Sequence, residues 1–182
     1  MRVSGGTGRG QRLKVPSGSR VRPTSNKVKQ ALFNIIGDRL IDADFLDLFT
    51  GAGGIGIEAL SRGAGEVTFV DSSRESLAAV RANIERTGFE SHAHTDLSKA
   101  ENFLRRPSGS YDIIFLDPPY AEELQPLLEL IAASGKVKKT GIVIAEHFKK
   151  QRSPEQAGSL VLYREAKYGD TVLAFYRISS EP

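Results

Sequence analysis

Between residues 45 and 62 an apolar strand runs into a glycine-dense turn and then into a helix, and few folds accommodate that succession. Phe45-Leu46-Asp47-Leu48-Phe49 reads as the strand, Gly51-Ala52-Gly53-Gly54-Ile55-Gly56 as the turn, and Ile55 to Arg62 as the helix. Gly51, Gly53 and Gly56 match G-x-G-x-x-G, and Asp71 ends the next apolar run, Val67 to Val70. Such a turn lets the backbone approach a ligand closely, and an acid at that spacing can accept bonds from two ribose hydroxyls. The pattern implies a nucleoside-bearing ligand without saying what lies beyond the ribose.

The alternation continues downstream. A helix is expected from Ser73 to Arg86, a weak strand near His92, a helix around Leu97 to Leu104, and a clear strand over Tyr111 to Leu116. Another helix follows over Glu122 to Ala133, then a strand over Gly141 to Ala145. Strand–helix alternation implies βαβ units around a mostly parallel sheet. The tail breaks the rule. Leu160 to Arg164 and Thr171 to Tyr176 flank Lys167-Tyr168-Gly169-Asp170 with no helix between them, which reads as an antiparallel hairpin. The expected class is α/β and Rossmann-like, a doubly wound sheet finished by that hairpin. Upstream, Val28, Ala31, Leu32, Ile35 and Ile36 predict a helix from Ser25 to Gly37, capped by Ser25, with Lys27 and Lys29 on its other face.

At 182 residues the chain fits one domain, read as residues 38–182 with residues 1–37 as a basic extension of the same domain. No apolar run reaches the roughly 18 residues that span a bilayer, and no signal-peptide core follows Met1, so a cytoplasmic protein is expected. Cysteine is absent, which removes thiolate metal sites and cysteine nucleophiles. His92 and His94 alternate on one strand face, where a plain surface strand is favoured over a metal site, and His147 receives no chemistry. Charge is uneven. Residues 1–37 hold Arg2, Arg9, Arg12, Lys14, Arg20, Arg22, Lys27 and Lys29 and no acid, while the rest of the chain is net negative. A basic segment on an acidic body suits a polyanion, because Lys and Arg displace condensed counterions from phosphates. Its glycines and Val3, Leu13 and Val15 suggest a short hairpin rather than a solvated tail.

On the glycine turn alone, a nicotinamide dehydrogenase and a methyltransferase are comparable readings. Asp47 adds a carboxylate near the turn, which repels a pyrophosphate and favours a sulfonium or amino group. Asp96-Leu97 after the third strand suits an adenine amino group and ring, although Asp96 serves equally as a helix cap. Asp117-Pro118-Pro119-Tyr120 ends the fourth strand, where ligands bind in open α/β sheets. The amino group of a base delocalises its lone pair and is a poor nucleophile. Acceptors on both N–H bonds, the Asp117 carboxylate and the Pro118 carbonyl, favour the tetrahedral geometry that frees that pair. The prolines fix φ and bring no competing donor. Tyr120 offers a stacking ring for a base that has left its helix. Without cysteine, methylation at pyrimidine C5 and iron–sulfur radical methylation lack their chemistry, and direct transfer to nitrogen remains.

Over nearly its whole length the chain resembles the bacterial family of small-subunit (16S) ribosomal RNA guanine-N2 methyltransferases. The likeness rests on Arg2-Val3-Ser4-Gly5-Gly6 with Gly8-Arg9-Gly10 and Leu13, on Arg22-Pro23-Thr24 followed by Lys27-Val28 and Ala31 to Asn34, on Leu46 to Gly53 with Gly56 to Ala64, and on Asp117 to Tyr120 and Tyr168-Gly169-Asp170. The Asp-Pro-Pro-Tyr motif is shared by many amino methyltransferases, whereas the Arg-Pro-Thr segment joined to the basic arm is particular. The resemblance implies a seven-stranded class I methyltransferase fold, S-adenosylmethionine as donor, and a guanine of 16S ribosomal RNA, free or in the assembling small subunit, as acceptor. It implies a monomer without metal. Asp117, Pro118 and Tyr120 are then expected at the acceptor, and Thr24, Asp47, Phe49, Gly51, Gly53, Gly56, Asp71, Ser72, Asp96 and Leu97 at the donor. Arg9, Arg12, Arg20, Arg22 and Lys27 are expected on RNA. Asp71 stands where many members carry Glu, and either carboxylate can hold ribose hydroxyls. The competing readings are a DNA adenine or cytosine amino methyltransferase, for whose separate recognition region the chain has no room, and an idle RNA-binding protein. A glutamine-N5 protein methyltransferase usually begins the motif with Asn.

Overall fold

Successive strand side chains point to opposite faces, so a strand covered on both sides must be apolar almost throughout. β1 (Asp44–Leu48), β2 (Glu66–Asp71) and β4 (Tyr111–Leu116) answer to that description and lie at the centre of the computed structural model, which describes residues 1–16 and 24–180. The other strands are β3 (Ala93–Leu97), β5 (Val137–Phe148), β6 (Gln156–Ala157), β7 (Leu160–Tyr168) and β8 (Thr171–Ile178). Helices α1 (Asn26–Ile36), α2 (Gly54–Ser61), α3 (Arg74–Thr87), α4 (Ala100–Leu104) and α5 (Leu124–Ala133) connect or flank them.

One sheet results, in the order β3-β2-β1-β4-β5-β8-β7-β6, with β1 to β5 parallel and the last three strands antiparallel. Alternate strand residues feed two cores. Phe45, Phe69, Ile113, Phe115, Ile144 and Phe175 meet α1, α2 and α3, while Leu46, Leu48, Ile114, Leu116, Val143 and Tyr176 meet α4 and α5. The order reverses between β1 and β4, and a crevice forms where their carboxyl ends diverge.

The sheet has eight strands where seven were expected. The extra strand, Gln156–Ala157, folds back on Leu160 and Val161 and is too short for any alternation to mark it. β5 also begins earlier than Gly141. Its polar start, Lys138 and Lys139, hides it, yet Lys138 is held by Asp44 at 2.7 Å and Asp112 at 2.8 Å. His92 lies in a short helical turn, and it and His94 both reach Glu66, at 3.4 and 2.9 Å. Among the described residues no cluster of three or more His, Cys, Asp or Glu is placed to hold a metal, and no helix is long and apolar enough to cross a membrane.

The first residues do form a hairpin, with Val3 N–H donating to Gln11 O (3.0 Å) and Leu13 N–H to Met1 O (2.9 Å). It is not a free arm. Val3 and Leu13 are buried in the core, and the hairpin clamps the end of α2 through Gly8 N–H to Ser61 Oγ (2.8 Å) and Ser61 Oγ–H to Gly5 O (2.6 Å). Arg2, Arg9, Arg12 and Lys14 remain exposed on its outer side. Ser25 caps α1 as expected, its hydroxyl accepting from Val28 N–H. Lys29 corrects the reading of that helix. It faces inward, 2% exposed, with its ammonium 3.0 Å from the Glu58 carboxylate and 2.6 Å from the Arg2 carbonyl. Lys29, Leu32, Phe33 and Ile36 follow helical spacing, so the lysine belongs to the buried stripe.

Candidate active site

The turn after β1 is built around Asp47. Its carboxylate is buried and accepts from Thr50 Oγ at 2.6 Å and from Gly56 N–H at 3.0 Å, which pins both ends of the turn to the strand. Burial is the main force raising its pKa to about 7, with the Asp117 and Asp71 carboxylates adding and the two hydrogen bonds opposing. Phe49 leaves the strand at φ +59°, a conformation non-glycine residues rarely adopt, and so aims the following backbone outward.

The glycines divide their work. Gly51, at φ +56°, has nothing within 4 Å of where a Cβ would stand, so its face is open to a ligand. Gly56 instead serves packing, because a Cβ there would fall 2.3 Å from the Phe69 ring and push α2 off β2. Asp71 closes the turn from the next strand. One carboxylate oxygen accepts from Gly51 N–H at 2.9 Å and the other from Ser73 N–H at 2.8 Å, which fixes the group while each oxygen keeps further accepting capacity.

Two clefts adjoin here. The first is lined by Thr24, Lys29, Asp47, Phe49, Gly51, Ala52, Phe115 and Asp117. The second is lined by Asp117, Pro118, Tyr120, Glu146, Phe148 and Tyr168. Asp117 belongs to both. It stands at the end of β4, and burial raises its pKa to about 7. Tyr120 is 74% exposed and meets the Phe148 ring edge-on at 5.9 Å.

Of the expected donor residues, Thr24, Asp47, Phe49 and Gly51 line the first cleft, while Gly53 and Gly56 shape the turn. Asp71 ends β2 and Ser72 follows it, and neither is in the lining of either cleft. Asp96 and Leu97 end β3 beside Val70 and Asp71, outside both cleft linings, and Asp96 already accepts from Ser98 Oγ (2.6 Å) and pairs with Arg106. Arg9, Arg12 and Lys27 are exposed, while Arg20 and Arg22 lie outside the described residues.

Two residues of the site were not foreseen. Lys29 lines the first cleft. Glu146 lines the second, 8% exposed, and accepts from Thr24 Oγ at 2.9 Å. β4 and β5 pair Leu116 with Ala145, so Asp117, just past the end of β4, stands next to Glu146, which lies within β5. Burial, then the Asp117 carboxylate, raises the Glu146 pKa to about 8, against the Thr24 hydrogen bond. The sequence did hold a signal, since Glu146 ends an apolar run as Asp117 does.

Residues 1–177 match the model of the family described as conserved hypothetical protein 95. The chain belongs to this family. It is 40% identical to YlbH of Bacillus subtilis over 97% of its length and 98% of that protein. It is 30% identical to ribosomal RNA small subunit methyltransferase D of Escherichia coli, over 97% of this chain and 89% of the relative. The solved structure of Escherichia coli yhhF superposes with a TM-score of 0.88 at 30% identity, covering 100% of this chain and 99% of the other. The fold is the class I methyltransferase fold, with a mostly parallel sheet and an antiparallel end.

Proposed function

We propose that this protein transfers a methyl group from S-adenosylmethionine to the exocyclic N2 of a guanine in 16S ribosomal RNA. The observation that carries this reading is that the donor-side and acceptor-side clefts meet at one residue, Asp117. Kinship with a ribosomal RNA small subunit methyltransferase supports the substrate class.

The residues present fit the donor. Asp71, fixed by two backbone N–H groups, suits ribose hydroxyls, and the open face of Gly51 admits close approach. Asp47, whose ionised form is disfavoured by burial, gains from a cation brought beside it. The donor supplies an electrophilic methyl carbon. The rest is the work of the chain. Asp117 and the Pro118 carbonyl accept from the two amino N–H bonds of the base, which holds the nitrogen lone pair toward the first cleft. Tyr120, backed by Phe148, carries the ring of a base withdrawn from its helix. The exposed Arg9, Arg12 and Lys27 lie on phosphates, and residues 1–37 act as part of one domain with residues 38–182.

The test compares 16S RNA from cells with and without the gene by mass spectrometry. N2-methylguanosine at one position is expected to vanish without the protein and return with it; identical modification in both cell lines overturns the proposal. Asp71→Ala is expected to weaken donor binding about tenfold or more by calorimetry, as removal of a charged hydrogen-bond acceptor does. An unchanged constant removes Asp71 from the donor site. Arg9→Gln, Arg12→Gln and Lys27→Gln together should lower the slope of log binding constant against log salt by about one for each phosphate no longer neutralised. A slope equal to the wild type means these side chains do not touch RNA.

A further inference from the structure

Glu146 is a buried acid that the chemistry above leaves unused. Among the described residues its hydrogen-bond partner is Thr24, whose hydroxyl takes one carboxylate oxygen, and the side chain lines the acceptor cleft beside Asp117. A neutral acceptor at that position of β5 could hold the Thr24 hydroxyl while avoiding both the cost of burial and the repulsion from Asp117, which together hold the Glu146 carboxyl up to about 8. A second acceptor beside the amino-holding acid has a chemical use, because the bases differ at that position. Guanine presents N1–H next to its amino group, two donors side by side. Adenine and cytosine present a ring-nitrogen lone pair next to theirs.

We propose that Glu146 determines specificity for guanine by accepting the N1–H bond while Asp117 accepts from the neighbouring N2 amino group. The assignment rests on the guanine-N2 reading of the site. The Thr24 hydroxyl holds the carboxylate by its hydrogen bond, so the segment leading into α1 positions the residue that reads the base. A base with a lone pair at N1 meets the ionised carboxylate with repulsion and leaves it unpaired in a buried place, and sites built to bond a donor reject analogues that lack it.

The experiment uses the full chain and a small-subunit RNA in which the modified guanine is replaced by 2-aminopurine. That base keeps the 2-amino group, exchanges N1–H for a lone pair and lacks O6, so the test is read from how the preference changes between the wild type and the Glu146 variants. Rates are measured just above pH 8, where Glu146 is largely ionised and guanine still carries its N1–H. The wild type is expected to favour guanine by about 100-fold. Glu146→Gln, whose amide can donate to a lone pair, should raise the 2-aminopurine rate and shrink the preference to about tenfold or less; Glu146→Ala should slow guanine and flatten the preference. Circular dichroism and thermal melting check that each variant is folded. A folded Glu146→Gln protein that keeps the wild-type preference, or that loses both substrates equally, overturns the role of Glu146 while leaving the guanine-N2 reading intact. A wild type that never methylates guanine N2 overturns that reading, and this assignment falls with it.

Discussion

Replacing Asp117 by Ala is expected to cut methyl transfer by about 10²–10³-fold while donor affinity changes by less than about tenfold. The asymmetry follows from position. In the donor cleft Asp117 shares the lining with Asp47, Phe49 and Gly51, which remain in the variant, whereas in the acceptor cleft it is the acid at the junction with the donor. A rate within a few-fold of wild type would remove Asp117 from the chemistry. The pH profile gives a second reading. An acceptor must be ionised, and burial holds the Asp117 pKa near 7, so kcat/KM should rise with pH through that region and level off above about 8. Asp117 and Glu146 adjoin, so the observed steps belong to the pair. Glu146→Gln removes a like charge and should move the rise to lower pH, whereas Asp117→Asn should abolish it. A flat profile in the wild type would mean that neither acid titrates in the free enzyme.

How much of this was legible beforehand depends on whether a residue acts through its neighbours in sequence or in space. The central strands, the glycine turn and the Asp117 to Tyr120 corner are local patterns, and each lies where the pattern placed it. Tyr111–Leu116 matched to the residue, because an apolar run between polar breaks has one register. β6 was hidden because two residues have no period, and the start of β5 because its first lysine is neutralised by Asp44 and Asp112 from other strands. The glycines of the turn looked equivalent, yet only the position of Phe69 reveals that Gly56 is a packing glycine. Charge misled most. Eight basic residues within the first thirty-seven suggested an arm reaching outward, and Lys29 is instead the buried pin that holds the segment down.

That pin yields the largest expected effect on stability. Glu58 is fully buried. Its carboxylate accepts from Ser4 N–H at 3.2 and 2.9 Å, from Ser4 Oγ at 2.7 Å and from Arg62 Nε at 2.8 Å, and it pairs with the Lys29 ammonium at 3.0 Å. Burial pushes its pKa up, but these donors outweigh burial and hold it below the ordinary 4.5. Among the described residues, Glu58→Ala leaves the buried Lys29 ammonium with the Arg2 carbonyl alone as partner, a change that costs about 3–5 kcal/mol. For a chain of this size the melting temperature should fall by about 6–20 °C. Lys29→Met should cost less, since an apolar side chain fills the helix stripe and Glu58 keeps Ser4 and Arg62. The sign with pH is fixed. Because the folded pKa lies below the unfolded one, the contribution is full above about 4.5 and is lost as pH falls through the folded value. The gap in melting temperature between wild type and Glu58→Ala should therefore narrow in acid. A gap under about 3 °C at neutral pH, or one that widens in acid, would show that the hairpin is held by Val3, Leu13 and its hydrogen bonds to Ser61, with the ion cluster contributing nothing net.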